Sequence, residues 1–581
     1  MYKPAPPRPK KTNIVRSRTG CRNCRERKTK CDEQKPACGT CVRLGKVCES
    51  TKPDFRFRTV DRPGSSKVAI SKKKSRLEYK RQSSPEKHIS DEPDCNGLGL
   101  GRLDLIRSLQ HTERDVFYST YWEDMCLPAL HPVFHSTSRL ASNNRMLNDA
   151  ILALSACNLS RLHAEKRNTS EKNVAAHSPS LIHQTRSYWY YSSAIRAFTS
   201  LQQVDYRYNA IIVLTVLAVF AHLESSMGNF EGFYCHFQGL SAFLMVLEEI
   251  AGDPVVKSLL MSWMQIRFVV WWARVYFCSL DVLQRLPPVP LPRLLEGSFI
   301  GSLYERRVVV LSIMCESHRL NCNAVLKHWS LAALKNLNNV GERYTIDDDN
   351  DEMNYFTPLG DEARKLDEWL LHLPPSEQPL HDISLPLRYD MNNLSNEPLY
   401  FKSHDAALNS TYYALARIMQ CAASIHHLEN QKLPCPTSND SEEETWIRLL
   451  LRIIKGTNLH MSASRNSYTI GFSGILLAAL LRCQDLGLSL EIQNWLQNLE
   501  NVQPTEEGAF PVYQAVGVAK AINRQRMVGR NIYGVTQLVD DGGVPKVTAY
   551  NSQSIDSMLL HGRCQLSGEF FTECVSIELY G

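Results

Sequence analysis

Six cysteines, Cys21, Cys24, Cys31, Cys38, Cys41 and Cys48, follow the pattern C-x2-C-x6-C-x6-C-x2-C-x6-C, one C-x2-C-x6-C unit written twice. A doubled spacing of this kind leaves few structural options for the stretch that holds it. A disulfide framework would need an oxidising compartment, and the amino terminus, Met1-Tyr2-Lys3-Pro4-Ala5-Pro6-Pro7, is proline-rich and basic without an apolar stretch of signal-peptide length. The thiols are therefore expected to be reduced. Structural zinc takes four thiolate or imidazole ligands in a tetrahedron, and no histidine occurs before His88 to supplement the sulfurs. One zinc would leave two thiols over. Two zincs need eight bonds from six sulfurs, which requires two sulfurs to bridge both metals, and the doubled pattern suggests that the bridges are equivalent. The residual negative charge of six thiolates around two Zn(II) is offset by Arg22, Arg25, Arg27, Lys28 and Lys30.

The formal net charge of +6 conceals an asymmetry. Residues 1–90 carry 26 Lys and Arg against 8 Asp and Glu, whereas the remainder carries 40 against 52. The basic end thus predicts a polyanionic partner. Between Cys21 and Cys31 the chain contains neither Gly nor Pro, and Glu26 and Lys30 stand at i and i+4 in the favourable order, so about two helical turns are expected. Such a short helix is marginal alone, and metal binding must supply much of its stability.

The run Gly20-Cys-Arg-Asn-Cys-Arg-Glu-Arg-Lys-Thr-Lys-Cys31-Asp32-Glu33, followed by Pro36-Ala-Cys38-Gly-Thr-Cys41, resembles the fungal binuclear zinc cluster family of transcription factors. The resemblance implies two Zn2+ per chain held by the six cysteines, with Cys21 and Cys38 as bridges. It also implies that Lys28, with Arg27 beside it, reads a CGG-type triplet in the major groove; the nearby cations Arg25 and Lys30 are expected to join the DNA contacts. Many relatives dimerise through a coiled coil after the zinc module. No leucine heptads follow it here, which shifts the expected state to a monomer or a homodimer formed through the helical body.

Further along, residues 49–102 read as a basic flexible linker. It contains Pro53, Pro63, Gly64 and the run Lys72, Lys73, Lys74, Arg76, Lys80 and Arg81, a candidate nuclear localisation signal or set of phosphate contacts. From about Leu103 to Arg530 apolar residues recur every three or four positions, as in Tyr188, Tyr191, Ile195 and Phe198, or Leu408, Tyr412, Leu415 and Met419. The longest apolar run, Ala210–Ala221, is too short to span a bilayer and reads as a buried helix. Phe268–Leu280 is flanked or interrupted by Arg267, Arg274 and Asp281, so no membrane segment is expected. Asp149 to Ala156, the helix from Tyr188 to Leu201, and Cys235-His-Phe-Gln-Gly-Leu240 resemble the fungal-specific transcription factor regulatory domain, which implies an all-helical body that regulates output or senses a signal. After Val535 turns and a short alternating stretch, Val575–Leu579, suggest an irregular or β tail.

Enzyme signatures are weak. Gly97-Leu-Gly-Leu-Gly101 does not follow a strand, and Gly471-Phe-Ser473-Gly lacks the spacing of a nucleophile elbow and reads as a helix boundary. The other twelve cysteines are scattered, and most read as buried apolar residues. The expected fold is thus mainly α. A basic disordered arm (1–20) leads into the zinc-cluster module (21–48), the linker (49–102), a large all-helical regulatory domain (103–535) and a tail (536–581). The expected function is zinc-dependent, sequence-specific regulation of RNA polymerase II transcription in the nucleus. Its partners are double-stranded DNA and the transcription machinery or co-regulators, and no catalysis is expected. The competing expectation is an adaptor or enzyme whose helical body carries the main function, with the zinc module tethering it to DNA. Deleting residues 21–48 and profiling transcripts distinguishes the two.

Overall fold

The computed structural model describes, near the amino terminus, residues 21, 23–24, 27, 29, 31–32, 34, 37–46 and 48. In the remainder it describes residues 111–166, 177–201, 209–244, 252–276, 278–284, 286–291, 301–337, 356–380, 397–421, 442–502, 506–508, 510–538 and 557–577. The basic run 72–81, the acidic stretch 347–352 and the pair His426-His427 lie outside the described residues. The chain divides into two compact units, Met1–Asn96 and Gly97–Gly581.

In the first unit the helix α1 spans Gly39–Arg43. The second unit is built on α2 (His111–Tyr121), α3 (Arg145–Leu162), α4 (Leu181–Thr199), α5 (Ala210–Ser226), α6 (Phe230–Leu244), α7 (Pro254–Tyr276) and α8 (Leu303–Leu337). It continues with α9 (Phe356–Leu371), α10 (His404–Gln420), α11 (Glu442–Lys455), α12 (Phe472–Arg482), α13 (Leu486–Asn501) and α14 (Val512–Met527), joined by short helical turns. Side-chain oxygens start several of these helices. Asn144 accepts from the Leu147 amide at 3.0 Å, Ser403 from Ala406 at 3.1 Å and Asp485 from Leu488 at 2.7 Å. Each cap contributes about 1 kcal/mol.

The apolar run that begins at Ala210 is indeed a buried helix. α5 lies against α3, α6 and α7, so it needs no polar face. No helix among the described residues is long and apolar enough to cross a membrane. Both arginines of the second apolar stretch are used by the fold. Arg267 donates to the Pro290 carbonyl at 3.3 Å, and the Arg274 guanidinium sits 5.8 Å from the Phe230 ring centre. α8, 35 residues long, is the spine of the second half, packing on α7, α9 and α10.

The body is not wholly helical. β1 (Glu165–Lys166) pairs antiparallel with β2 (His177–Ser178), and β3 (Glu506–Glu507) with β4 (Phe510–Pro511). At the carboxy-terminal end β5 (Arg530–Thr536), β6 (Ser557–Cys564) and β7 (Phe570–Ser576) form an antiparallel sheet in the order 5-6-7. The sheet packs on α8, and Trp329 of that helix donates its indole N–H to the Gly562 carbonyl at 3.0 Å. Of the alternating stretch expected at Val575–Leu579, Val575 and Ser576 fall in β7, which starts at Phe570, and residues 578–579 lie outside the described residues. β5 crosses the boundary expected between residues 535 and 536, so the tail's strands complete a sheet begun within the helical region. Local periodicity misses this because α8, some two hundred residues upstream, supplies the face on which the sheet rests.

The scattered cysteines are mostly core residues. Cys126, Cys157, Cys278, Cys315, Cys322, Cys421 and Cys483 are buried, while Cys235 and Cys574 are exposed. Burial pushes the thiols of Cys126, Cys157 and Cys483 up to about 12, so they pack as neutral apolar groups. Gly471 and Phe472 do mark a helix boundary, Gly471 being the N-cap of α12. That boundary is anchored by the buried Glu507, whose carboxylate accepts from the Ser473 amide at 2.7 Å and the Asn466 side chain at 2.6 Å.

Candidate metal centre

The two halves of the cysteine repeat are offset by seventeen residues, Cys21 matching Cys38, Cys24 matching Cys41 and Cys31 matching Cys48. Their backbones repeat as well. Thr29 N–H donates to the Cys24 carbonyl at 3.0 Å, and seventeen residues on Lys46 N–H donates to the Cys41 carbonyl at 3.0 Å. In the second half this bond and Gly45 N–H to the Val42 carbonyl, 3.1 Å, close the end of α1 in a Schellman motif. Gly45 occupies the left-handed position that motif requires, with φ of 58°. In the first half Asn23 and Cys24 are helical, and Arg27 N–H reaches the Asn23 carbonyl at 3.3 Å.

The N-terminal end of α1 is held from two sides. The Cys38 sulfur accepts from the Cys41 amide at 3.4 Å. The Asp32 carboxylate, from the connection between the halves, accepts from the Gly39 amide at 2.9 and 3.1 Å. A side chain at Gly39 would put its Cβ 2.7 Å from Asp32 Oδ2, so glycine is what lets the carboxylate approach.

These turns gather the sulfurs. Cys21 Sγ lies 3.7 Å from Cys38 Sγ and 3.6 Å from Cys41 Sγ, and Cys24 Sγ lies 3.7 Å from Cys38 Sγ. Two groups of four emerge, Cys21, Cys24, Cys31 and Cys38, and Cys21, Cys38, Cys41 and Cys48. Within each group all sulfurs are within 4.8 Å of one another, and Cys21 and Cys38 belong to both. A tetrahedral zinc site with Zn–S of about 2.3 Å has S···S edges of about 3.8 Å, so the observed separations fit the ion. No other group of three or more such side chains converges among the described residues.

Among the described residues of this unit the buried cluster consists of cysteines. Five are buried and Cys48 is half-buried, while Val42 and Leu44 point outward and are exposed. Among the described residues no apolar core competes with the sulfurs as the source of stability. The thiols are also unequal as proton holders. The Cys24 amide donates to Cys21 and lowers its thiol to about 6, whereas burial pushes Cys24 up and Cys41 up to about 11. Zinc must therefore displace protons from the buried members.

Residues 19–56 match the fungal Zn(2)-Cys(6) binuclear cluster domain. A domain of this kind holds two zinc ions on six cysteines, and the matched stretch contains six. Short alignments agree. The chain is 46% identical over 46 residues to a Zn(2)-C6 fungal-type transcription factor of Gibberella zeae, covering 8% of this chain and 9% of the relative. It is 36% identical over 84 residues to transcription activator AMTR1 of Alternaria alternata, 14% and 11% of the two chains. It is 49% identical over 49 residues to transcriptional regulatory protein pro1 of Neurospora crassa, 8% and 7%. The match thus spans about a tenth of each relative's length. No solved structure matches the chain.

Of the DNA-contact residues expected from sequence, Arg27 is exposed at the end of the first turn of this zinc-cluster domain. Arg25, Lys28 and Lys30 lie outside the described residues. The positioning pair Asp32 and Gly39 went unnoticed as a pair. Its signal is a glycine directly after a repeat cysteine and an acid seven residues before it, and neither has a counterpart seventeen residues earlier.

Proposed function

We propose that the protein is a zinc-dependent, sequence-specific DNA-binding regulator of RNA polymerase II transcription, acting in the nucleus on a metabolic or biosynthetic gene set. The observation that carries this reading is the pair of four-sulfur groups sharing Cys21 and Cys38. On this reading Cys21 and Cys38 bridge the two zinc ions, Cys24 and Cys31 complete one tetrahedron, and Cys41 and Cys48 complete the other. Zinc, when bound, supplies positive charge that keeps all six sulfurs ionised and ties the halves together. The chain's own residues do the reading. Arg27 and Lys28 take bases of a CGG-type triplet, and Arg25 and Lys30 engage phosphates. Lys72, Lys73, Lys74, Arg76, Lys80 and Arg81 serve nuclear import and add phosphate contacts. The body from 103 to 535 acts as a fungal-specific transcription factor regulatory domain, contacting co-regulators as a monomer or a homodimer.

Gel-shift titrations of the full chain test this. Lys28→Ala is expected to lose preference for CGG-containing DNA by about tenfold or more, the worth of one specific base contact. Lys74→Ala is expected to weaken every sequence alike and to reduce the salt dependence. Chelation is expected to abolish both kinds of binding by the module. Equal losses on all sequences for Lys28→Ala would remove it as a base reader, and DNA affinity indifferent to chelation would overturn the zinc-dependent reading.

A further inference from the structure

Between α8 and α9, and bordered by the extended segment Pro288–Leu291, lies a cleft of about 660 Å3. That size falls in the range of pockets that take small organic ligands. Its apolar walls are held in place from outside the cleft. Every residue of Pro288–Leu291 is a proline or precedes one, since Pro292 follows, so the backbone there is confined to extended conformations. The Pro287 carbonyl accepts from the Trp271 indole at 3.3 Å and the Pro290 carbonyl from Arg267 at 3.3 Å, while Val289 and Leu291 pack on the core. On the side of α9, the Trp369 indole N–H donates to the Arg306 carbonyl at 2.9 Å, and its ring stacks on Tyr413 of α10 with centres 5.9 Å apart. Val309 and Ile313 of α8 complete the apolar lining. Walls fixed in this way do not collapse onto one another, so the cleft is pre-formed.

The charges around the cleft are matched within the protein. Arg306 makes two hydrogen bonds to the buried Glu377. Arg319, just outside the lining, donates to both oxygens of Glu316 at 2.5 and 2.8 Å, and Lys365 pairs with Glu362 at 2.6 Å. The other two ionisable groups of the lining, Glu368 and His372, are exposed to water. A charged ligand would have to break one of these pairs or lose its hydration without a counter-charge, and either costs more than burying an uncharged group. One polar lining group is left over. Ser312 stands on the same face of α8 as Val309 and Glu316, and its hydroxyl makes no hydrogen bond among the described residues.

We propose that this cleft binds an uncharged, largely apolar small molecule, whose body packs on Trp369, Ile313 and Pro288–Leu291 and whose hydroxyl or carbonyl oxygen is met by the Ser312 hydroxyl. Such a ligand covers apolar wall, disturbs none of the ion pairs and gives the free hydroxyl its partner. The proposal concerns the helical body and does not rest on the DNA-binding reading.

Isothermal titration of the zinc-loaded full chain with four probes of one shape tests it: naphthalene-2-methanol, 2-methylnaphthalene, 2-naphthoate and 2-naphthylmethylammonium. The alcohol is expected to bind saturably with one site per chain, and the anion and the cation about tenfold more weakly or worse, the penalty for a charge desolvated beside matched pairs. 2-Methylnaphthalene, which lacks the oxygen, is expected to bind about threefold to tenfold more weakly than the alcohol, the worth of one hydrogen bond. Ser312→Ala is expected to weaken the alcohol by the same factor and to leave 2-methylnaphthalene unchanged, a pattern that a general loosening of the fold does not produce. Val309→Trp, which fills the cleft from α8, is expected to abolish binding of both. If Val309→Trp loses its helical circular dichroism, the Ser312→Ala arm decides. Absence of saturable heat with the millimolar alcohol, equal affinity for either charged analogue, or full alcohol affinity in folded Ser312→Ala would overturn the proposal.

Discussion

Asp32 illustrates how much one side chain settles in a unit whose described residues gather no apolar core besides the cysteines. It stands between the repeats and caps α1 through the Gly39 amide, and so positions Cys38 and Cys41 at the start of that helix. Gly39→Ala places a Cβ 2.7 Å from Asp32 Oδ2, so the carboxylate must shift and its hydrogen bonds to the amide weaken. The expected cost is that of a lost cap, about 1 kcal/mol, read as a lower melting temperature of the zinc-loaded unit and easier loss of zinc to a competing chelator. An unchanged midpoint in both measurements would mean that Cys38 alone suffices to cap α1. The spacing of the six cysteines made the metal centre legible, because ligand number and type follow from residue identity. The Asp32–Gly39 contact was not legible, because a seven-residue separation says nothing about a carboxylate folding back onto an amide.

At the scale of elements, the helices were readable from three-to-four-residue periodicity wherever one face meets the core, as in α4. The joints between them were not. The turn after β3 holds Gly508 at φ of 64°, and a Cβ there would lie 2.3 Å from the Thr469 carbonyl oxygen. The same joint carries Glu507 on the start of α12 and Tyr412 of α10, whose hydroxyl donates to the Ile470 carbonyl at 2.6 Å. Gly508→Ala is therefore expected to destabilise the body by about 2 to 4 kcal/mol, combining backbone strain with a clash that no side-chain rotation relieves. Urea unfolding followed by circular dichroism measures it, and a loss below about 0.5 kcal/mol would show that the joint yields without cost.

Across the whole molecule, the helical body stores histidines in their neutral form. Burial lowers His131, His222 and His318 to about 3 and His183 and His561 to about 4. Unfolded, these side chains would take up protons near 6.5, so the unfolded state binds more protons than the native state below that pH. Stability is thus fully present above about pH 6.5 and falls progressively as the pH drops toward 3 to 4. Calorimetric melting of the body between pH 7.5 and 4.5 is expected to show a falling midpoint, with the decline starting near 6.5. A midpoint that stays level across that window would contradict neutral burial of these rings.

By itself the sequence determined the donor set of the metal centre, the basic character of the first ninety residues and the mainly helical nature of the rest. Each of these depends on residue identity and near-neighbour spacing. Tertiary structure alone decided how Asp32 closes α1 and that the tail joins β5 in a sheet resting on α8. The physical reason is common to both. Contacts between groups far apart in sequence depend on how packed elements approach one another, and local pattern carries no record of that approach.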